Sequence, residues 1–466
     1  METLRLEQLE DRIAPAGNIA VVVTHGDLII TGGWGQDSFV VSQPDPLVQD
    51  FVIESESATV NHQSTPQTVH GVTGSVLVAL HGGADTTEFV ALHVVGDVRV
   101  AGGAGDDEVL FERCSIDGSV SVNYGAGAAK GSFLDGVIRG DVTVRGGSQD
   151  ALLLRSVTVD GALDVRLGPG ESCAYLQSVT VASAVIAGGA GDETITVGGS
   201  HFLGGLSISG GRNELETNIS DTRVDGAFTL TNGPGHSHLE IGLSAIAGAV
   251  NVTTGNGWAE NWVIWSTLGI DEAHGTISNV AFRGTGGRAL GPDLALDTEI
   301  QDSSIGGDLS VRYGGGAADK VFLAGADVGG SMTAVAAGPT DLFLFNSNIH
   351  GDTSAATGRG ADHLELSGVH LFGALSVNTG GGNDTVSVGS SEYVPGEASS
   401  FNGPVTVKLG GGNDTLLAGL RNAGFAITYG AAVTFDGGAG NDTIDIVGNN
   451  NAFTVEPLKP RFETVE

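Results

Sequence analysis

A chain of 466 residues with 76 glycines, 2 cysteines and a formal net charge of −35 departs strongly from average composition. Its 40% hydrophobic share is too high for a disordered acidic tail, and its charge opposes binding to nucleic acid or to anionic membrane surfaces. Two cysteines make no disulfide framework, and no run approaches the ~18 apolar residues that span a bilayer.

The N-terminal METLRLEQLEDRIAPAGN lacks the apolar stretch of a secretory signal peptide. Its Leu6-Glu7-Gln8-Leu9-Glu10-Asp11-Arg12, followed by Ile13-Ala14-Pro15-Ala16, resembles the LE-x-LE-x-R leader of surface or exported proteins of planctomycete bacteria. The resemblance implies export and an extracellular or cell-surface location. The alternative is a short charged amphipathic helix ended by Pro15.

From Gly96 the chain reads GDVRVAGGAGDDEVLFERCSID, and Gly118, Gly140 and Gly161 each open a further copy. The register returns at Gly205, Gly226 and Gly248, then at Gly307, Gly330, Gly351, Gly373 and Gly403. One such unit of about 22 residues cannot bury its own apolar face, so it must stack on its neighbours. Counted from the glycine, the second and fourth residues are apolar, as in Val98 and Val100, Val120 and Val122, or Val142 and Val144. This alternation marks a strand with one buried face. A second alternating run follows (Val109 and Phe111, Leu364 and Leu366), and a third short run leads into the next glycine.

Three short strands per coil predict an all-β parallel β-helix, a solenoid, in the right-handed form that resembles pectate lyases. The glycine at the corner is expected to supply the positive φ of a sharp turn. The predicted organisation is a leader-like segment at 1–18 and first coils with a loop insertion at 19–73. Repeats at 74–455 carry insertions near 275–306, 389–402 and 419–431, and 456–466 form a tail.

The turn after the first strand repeats a chemical motif. Gly32 to Asp37, Gly102 to Asp107 and Gly437 to Asp442 spell GGxGxD, with shorter forms at Gly380 to Asp384 and Gly410 to Asp414 and a weaker one at Gly358 to Asp362. These turns resemble the calcium-binding nonapeptide of the haemolysin-type (RTX) repeats. The resemblance implies Ca²⁺ held by glycine carbonyls and aspartates of stacked turns. The residues carried over are Asp37, Gly105, Asp107, Asp362, Gly382, Asp384, Gly412, Asp414, Gly440 and Asp442. Here there is one such turn per coil, whereas family repeats run in tandem, so a single file of sites is implied.

Asp341, Asp362, Asp384, Asp414 and Asp442 are expected to stack in one column. Stacked carboxylates repel, so the column needs a cation, raised pKa values or side chains splayed into solvent. Aspartates that cap their own glycine turns are the alternative. Between Ala128 and Thr340 the turns mostly lack the motif, and no metal is expected there.

No catalytic constellation emerges. Asp106-Asp107 and the Gly235-His236-Ser237-His238 turn lie about six coils apart, too far for one acid–base pair. Trp258, Trp262 and Trp265 read as core filling in a widened coil, or Trp258 and Trp262 as a carbohydrate-stacking platform on the outer wall. The sequence predicts a non-enzymatic, exported β-helical surface protein, structural or adhesive, stabilised by calcium, with surface glycans or matrix proteins as partners. A polysaccharide-binding or polysaccharide-degrading β-helix is the alternative.

Overall fold

A computed structural model describes residues 17–465 apart from 46, 256, 272–275, 285–295, 315–318, 390–397, 420–426 and 448–450. The leader motif lies outside the described residues, as do parts of the insertions near 275–306, 389–402 and 419–431. The chain divides into two compact units, Met1–Tyr175 and Leu176–Glu466.

In the first unit one coil consists of strands Val98–Ala104, Asp107–Glu112 and Ser115–Ile116. Each pairs in parallel with its counterpart one coil on: Val98 with Val120, Val109 with Gly131, Ser115 with Val137. Equal positions therefore stack, and the alternation read from the sequence becomes an internal ladder. Val100, Val122 and Val144 are all buried, and Phe89, Phe111 and Phe133 stack with ring centres 4.7 and 4.8 Å apart. Burial of such ladders at every coil holds the unit together.

The start of this unit is more elaborate than a coil with a loop. Asn18–Thr24 runs antiparallel to Asp27–Thr31, and Asp50–Glu54 pairs antiparallel with both Ser38–Ser42 and Gln67–His70. The segment from Pro44 to Val72 thus contributes strands of its own.

The second unit repeats the coil, as in Leu206–Ser209, Leu215–Ser220 and Arg223–Val224. The interruption expected at 275–306 contains two solenoid strands in register, Val280 opposite Val250 and Leu296 opposite Ala259. An antiparallel pair of short strands, Ile270–Asp271 and Thr276–Ile277, precedes them. The tail predicted at 456–466 folds onto the last coil: Thr464 pairs with Thr443, and the Arg461 guanidinium bonds the Asp436 carboxylate.

The glycine file has a different cause from the one expected. Gly96, Gly118, Gly226 and Gly373 do not have positive φ. A Cβ on Gly118 would instead meet the carbonyl oxygen of Gly96 at 2.5 Å, and one on Gly226 would meet the Gly204 carbonyl carbon at 2.6 Å. Close approach of successive coils selects glycine there. The left-handed corner lies elsewhere, at Arg113, Asp135 and Ser156 in the first unit and at Asp221, Leu243, Trp265 and Asn346 in the second, all with φ between 45 and 55°. Just beyond it in the second unit runs an internal hydroxyl ladder. Thr222 N–H donates to Ser244 Oγ, Ser244 N–H to Ser266 Oγ, and Ser266 N–H to Ser303 Oγ, at 3.1–3.2 Å.

Candidate functional site

The motif aspartates face inward where the second strand of each coil begins, Asp107 as its first residue and Asp37, Asp362, Asp384, Asp414 and Asp442 immediately before it, directly after the glycine turn. In the second unit Asp362, Asp384, Asp414 and Asp442 fall on successive coils and are at most 2% exposed. Each is tied to the next through the backbone. Asp362 N–H donates to Asp384 Oδ1 at 3.0 Å, Asp384 N–H to Asp414 Oδ1 at 2.8 Å, and Asp414 N–H to Asp442 Oδ1 at 2.9 Å. Glu463 of the tail ends the file by accepting the Asp442 N–H at 2.7 Å. Thr340 begins it, donating its N–H to Asp362 Oδ1.

Asp341 is not in this column. It pairs in register with His363 and points outward, one residue beyond the position it was expected to fill. In the first unit Asp37, Asp85 and Asp107 form a matching file, with Asp37 N–H bonded to Asp85 Oδ1 and Asp85 N–H to Asp107 Oδ1. Asp85 follows His81-Gly82-Gly83-Ala84, a turn that lacks the full GGxGxD spelling.

Between Ala128 and Thr340 buried carboxylates also stand at the column position of their coils, Asp150 in the first unit and Glu193 and Asp319 in the second. Asp150 caps its own turn with Oδ1, which accepts the Gly147 N–H, while Oδ2 accepts the N–H of Gly168 one coil further on. Leu215, Ser237 and Ala259 fill three successive positions that carry no carboxylate.

One oxygen is the exception in most of these carboxylates. Asp85, Asp107, Asp384, Asp414 and Asp442 use Oδ1 for the backbone, while Oδ2 is buried without a hydrogen-bond partner. In Asp37 the roles reverse, with Oδ2 accepting the Gly33 N–H at 2.6 Å and Oδ1 unpartnered. Asp362 Oδ2 has a donor, the Thr357 hydroxyl at 2.7 Å. Burial pushes the Asp85 carboxyl up to about 7 and those of Asp362 and Asp414 up to about 6, and it raises Asp107, Asp384 and Asp442 as well. Splaying into solvent is therefore excluded for this column.

The turns before these aspartates stack as tightly as the coil corners. Gly105, Gly382, Gly412 and Gly440 have φ of 128, 156, 147 and 145°, which L side chains rarely adopt. A Cβ on Gly412 would strike the carbonyl oxygen of Gly382, and one on Gly440 that of Gly412. Backbone bonds also join the turns, with Gly411 N–H donating to Gly380 O at 3.0 Å and Gly412 N–H to Ala439 O at 2.8 Å. Among the described residues no three His, Cys, Asp or Glu side chains converge as a metal cluster. Any cation here would rely on one free carboxylate oxygen per turn together with glycine carbonyls. That all-oxygen donor set suits Ca²⁺.

The outer face of the second strands in the second unit holds residues that no sequence motif connects. One outward file includes Glu216, His238, Glu260, Asp297, Lys320 and Asp341, and the adjacent file includes Glu240, Trp262, Glu299, Phe322, Phe343 and Glu365. Trp262 is on this outer wall and Trp265 is 62% exposed at the left-handed corner, so neither fills the core. The register of the second strands, read outward instead of inward, carried this signal. His236 and His238 contact Trp258 and Trp262 edge-on, with ring centres 5.8 and 5.2 Å apart. In comparisons with protein-family models, curated proteins and solved structures, nothing matches this chain. The resemblance to haemolysin-type repeats rests on the turns alone.

Proposed function

We propose that this chain is a non-enzymatic β-solenoid of the cell exterior, structural or adhesive in role, whose aspartate columns take up Ca²⁺. The observation that carries the calcium reading is the unpartnered, buried Oδ2 of Asp384, Asp414 and Asp442 on three successive coils. A buried ionised carboxylate with a free oxygen is costly unless a cation or a proton compensates it. Asp384, Asp414 and Asp442, with the carbonyls of Gly382 and Gly412, would hold the ion. Bound there it would supply positive charge to the column and link one coil to the next. Asp37, Asp85 and Asp107 offer the same arrangement in the first unit.

The non-enzymatic reading draws on how the column aspartates are used, since Asp85, Asp107, Asp362, Asp384, Asp414 and Asp442 each bind the backbone of the neighbouring coil. Export draws on the leader resemblance, and free calcium is abundant outside cells. The deciding experiment is titration of chelator-treated protein with Ca²⁺ by calorimetry, followed by melting with and without chelator. Calcium uptake and a higher melting temperature are expected. No uptake at millimolar Ca²⁺ would leave the columns to protons. Release of new reducing ends from added polysaccharide would overturn the non-enzymatic reading.

A further inference from the structure

On the outer wall of the second unit, Lys320, Phe322, Asp341, Phe343, Phe345 and His363 line an open groove of about 430 Å³. They come from three consecutive second strands, Asp319–Ala324, Thr340–Phe345 and His363–Ser367, so the groove crosses the strands and runs from coil to coil. Its floor is aromatic. Phe322 and Phe343 lie with ring centres 6.4 Å apart, Phe343 stacks on Phe345 at 5.9 Å, and His363 meets Phe343 edge-on at 5.2 Å. The Lys320 ammonium sits 5.3 Å from the Phe322 ring centre and is held toward Asp297 at 3.6 Å and Glu299 at 3.9 Å.

Polar groups along the same face lack partners. Glu365, in register with Phe343, is 2% exposed, and its Oε1 has no hydrogen-bond partner. Asp297 Oδ1 and Trp262 Nε1 are likewise buried and unpartnered. These atoms are closed off from the groove, whose own polar lining is Lys320, Asp341 and His363. An apolar floor with a few directed polar groups is the general make-up of a small-molecule or sugar site.

The class of ligand follows from charge and spacing. Glu216, Glu260, Asp297 and Asp341 share one outward file with a single amine, Lys320, so uronate or sulfated chains would be repelled. Coils recur at ~4.8 Å, whereas an extended peptide advances ~3.3 Å per residue and would need a free sheet edge to bind by strand addition. These strands have hydrogen-bonded neighbours on both sides. A pyranose chain advances by about one coil per sugar, offers apolar ring faces to Phe322 and Phe343, and carries hydroxyls or amines for Asp341 and His363.

We infer that this groove binds a polysaccharide of neutral or amine-bearing pyranoses, laid along the coil axis across Phe322 and Phe343. This gives the adhesive reading a partner, yet it stands on the outer face and needs no calcium in the inner column.

The test is calorimetry of the full chain, in calcium and again in chelator, with a glucosamine hexamer, a neutral glucose hexamer, polygalacturonate and a lysine-rich peptide. Binding of at least one of the first two is expected in both conditions, weakened about tenfold or more by Phe343→Ala with an unchanged melting curve. If Phe343→Ala fails to fold, Asp341→Asn on the same wall is the second variant, with weakened binding again expected. Preference for polygalacturonate, binding of the peptide alone, or affinity indifferent to both substitutions would overturn the inference. Absence of glycan binding beside a normal calcium response would overturn the groove and leave the calcium reading standing. Cleavage of a bound hexamer would uphold the groove and overturn the non-enzymatic reading instead.

Discussion

The backbone N–H of Asp384 donates to Oδ1 of Asp414, one coil further on, at 2.8 Å, and both side chains are 1% exposed. The carboxylate therefore belongs to the solenoid's own hydrogen bonding before any ion is considered. Removing it and neutralising it are different experiments. Asp414→Ala strips the acceptor and leaves a buried N–H unpaired, at a cost of about 1–3 kcal/mol. Asp414→Asn keeps an oxygen acceptor and removes the charge, so in chelator it is expected to match or exceed the parent in denaturant melts. Equal loss in both variants would show that ionised Asp414 stabilises the metal-free fold.

Stability against pH follows from the raised carboxyls. A carboxyl whose folded pKa stands above its unfolded 3.8 holds its proton more tightly in the folded chain, so its contribution is largest below 3.8 and declines as pH rises toward the folded pKa. With Asp362 and Asp414 at about 6 and Asp85 at about 7, the decline spans the range from 3.8 to about 7. Asp117, lowered by its bond to His93, and Asp436, lowered by its bond to Arg461, act in the opposite sense, and only as pH falls through their folded pKa below 3.8. Metal-free protein is thus expected to melt higher at pH 5 than at pH 7.5. Relief of the net charge of −35 works in the same direction, so the diagnostic is Asp414→Asn, which should reduce the slope. A parent and variant with identical slopes would remove Asp414 from the account.

Two corners make opposite demands on glycine. Gly118→Ala places a Cβ 2.5 Å from the Gly96 carbonyl oxygen, and overpacking of that kind costs about 1–3 kcal/mol. Leu243 is 63% exposed with φ of 51°, where a side chain is strained, so Leu243→Gly is expected to stabilise by up to about 1 kcal/mol. Equilibrium unfolding of the two variants checks both signs. A destabilised Leu243→Gly beside a neutral Gly118→Ala would reverse the assignment of close approach and left-handed turn.

The sequence made the coil legible because its inner constraints recur at a fixed period. Val98, Val100, Val120 and Val122 show the buried face directly, and the glycines show where coils touch. The left-handed corner was invisible, since Arg113, Asp135, Leu243 and Trp265 share a backbone angle and no side-chain chemistry. The hydroxyl file of Thr222, Ser244, Ser266 and Ser303 did carry a period, masked by how common serine and threonine are. For the aspartates, the motif placed Asp384, Asp414 and Asp442 in register, but it could not say whether they faced inward. Asp341 stands one residue of register away from the column, a difference its spacing in the sequence does not reveal. The outer files escaped because they obey no motif: their meaning lies in which residues neighbouring coils set side by side.

The calcium reading makes a regional prediction with its control in the same unit. Around Asp362, Asp384, Asp414 and Asp442 every coil carries a carboxylate at the column position, whereas Leu215, Ser237 and Ala259 hold that position in three earlier coils. An ion that binds only the folded state stabilises it by mass action, about 2.7 kcal/mol at a hundredfold excess over Kd. Hydrogen exchange of amides in Leu375–Asn378, Val405–Lys408 and Val433–Asp436, beside the stacked turns, should slow on adding calcium. Amides of Leu206–Ser209 and Phe228–Thr231 should exchange at the same rate with or without it. The Asp414 turn has an aspartate-bearing turn on either side, so Asp414→Asn should lower calcium stoichiometry and shrink the protected region to its neighbours. Equal protection in both regions, with and without calcium, would mean that protons and the backbone alone satisfy the column.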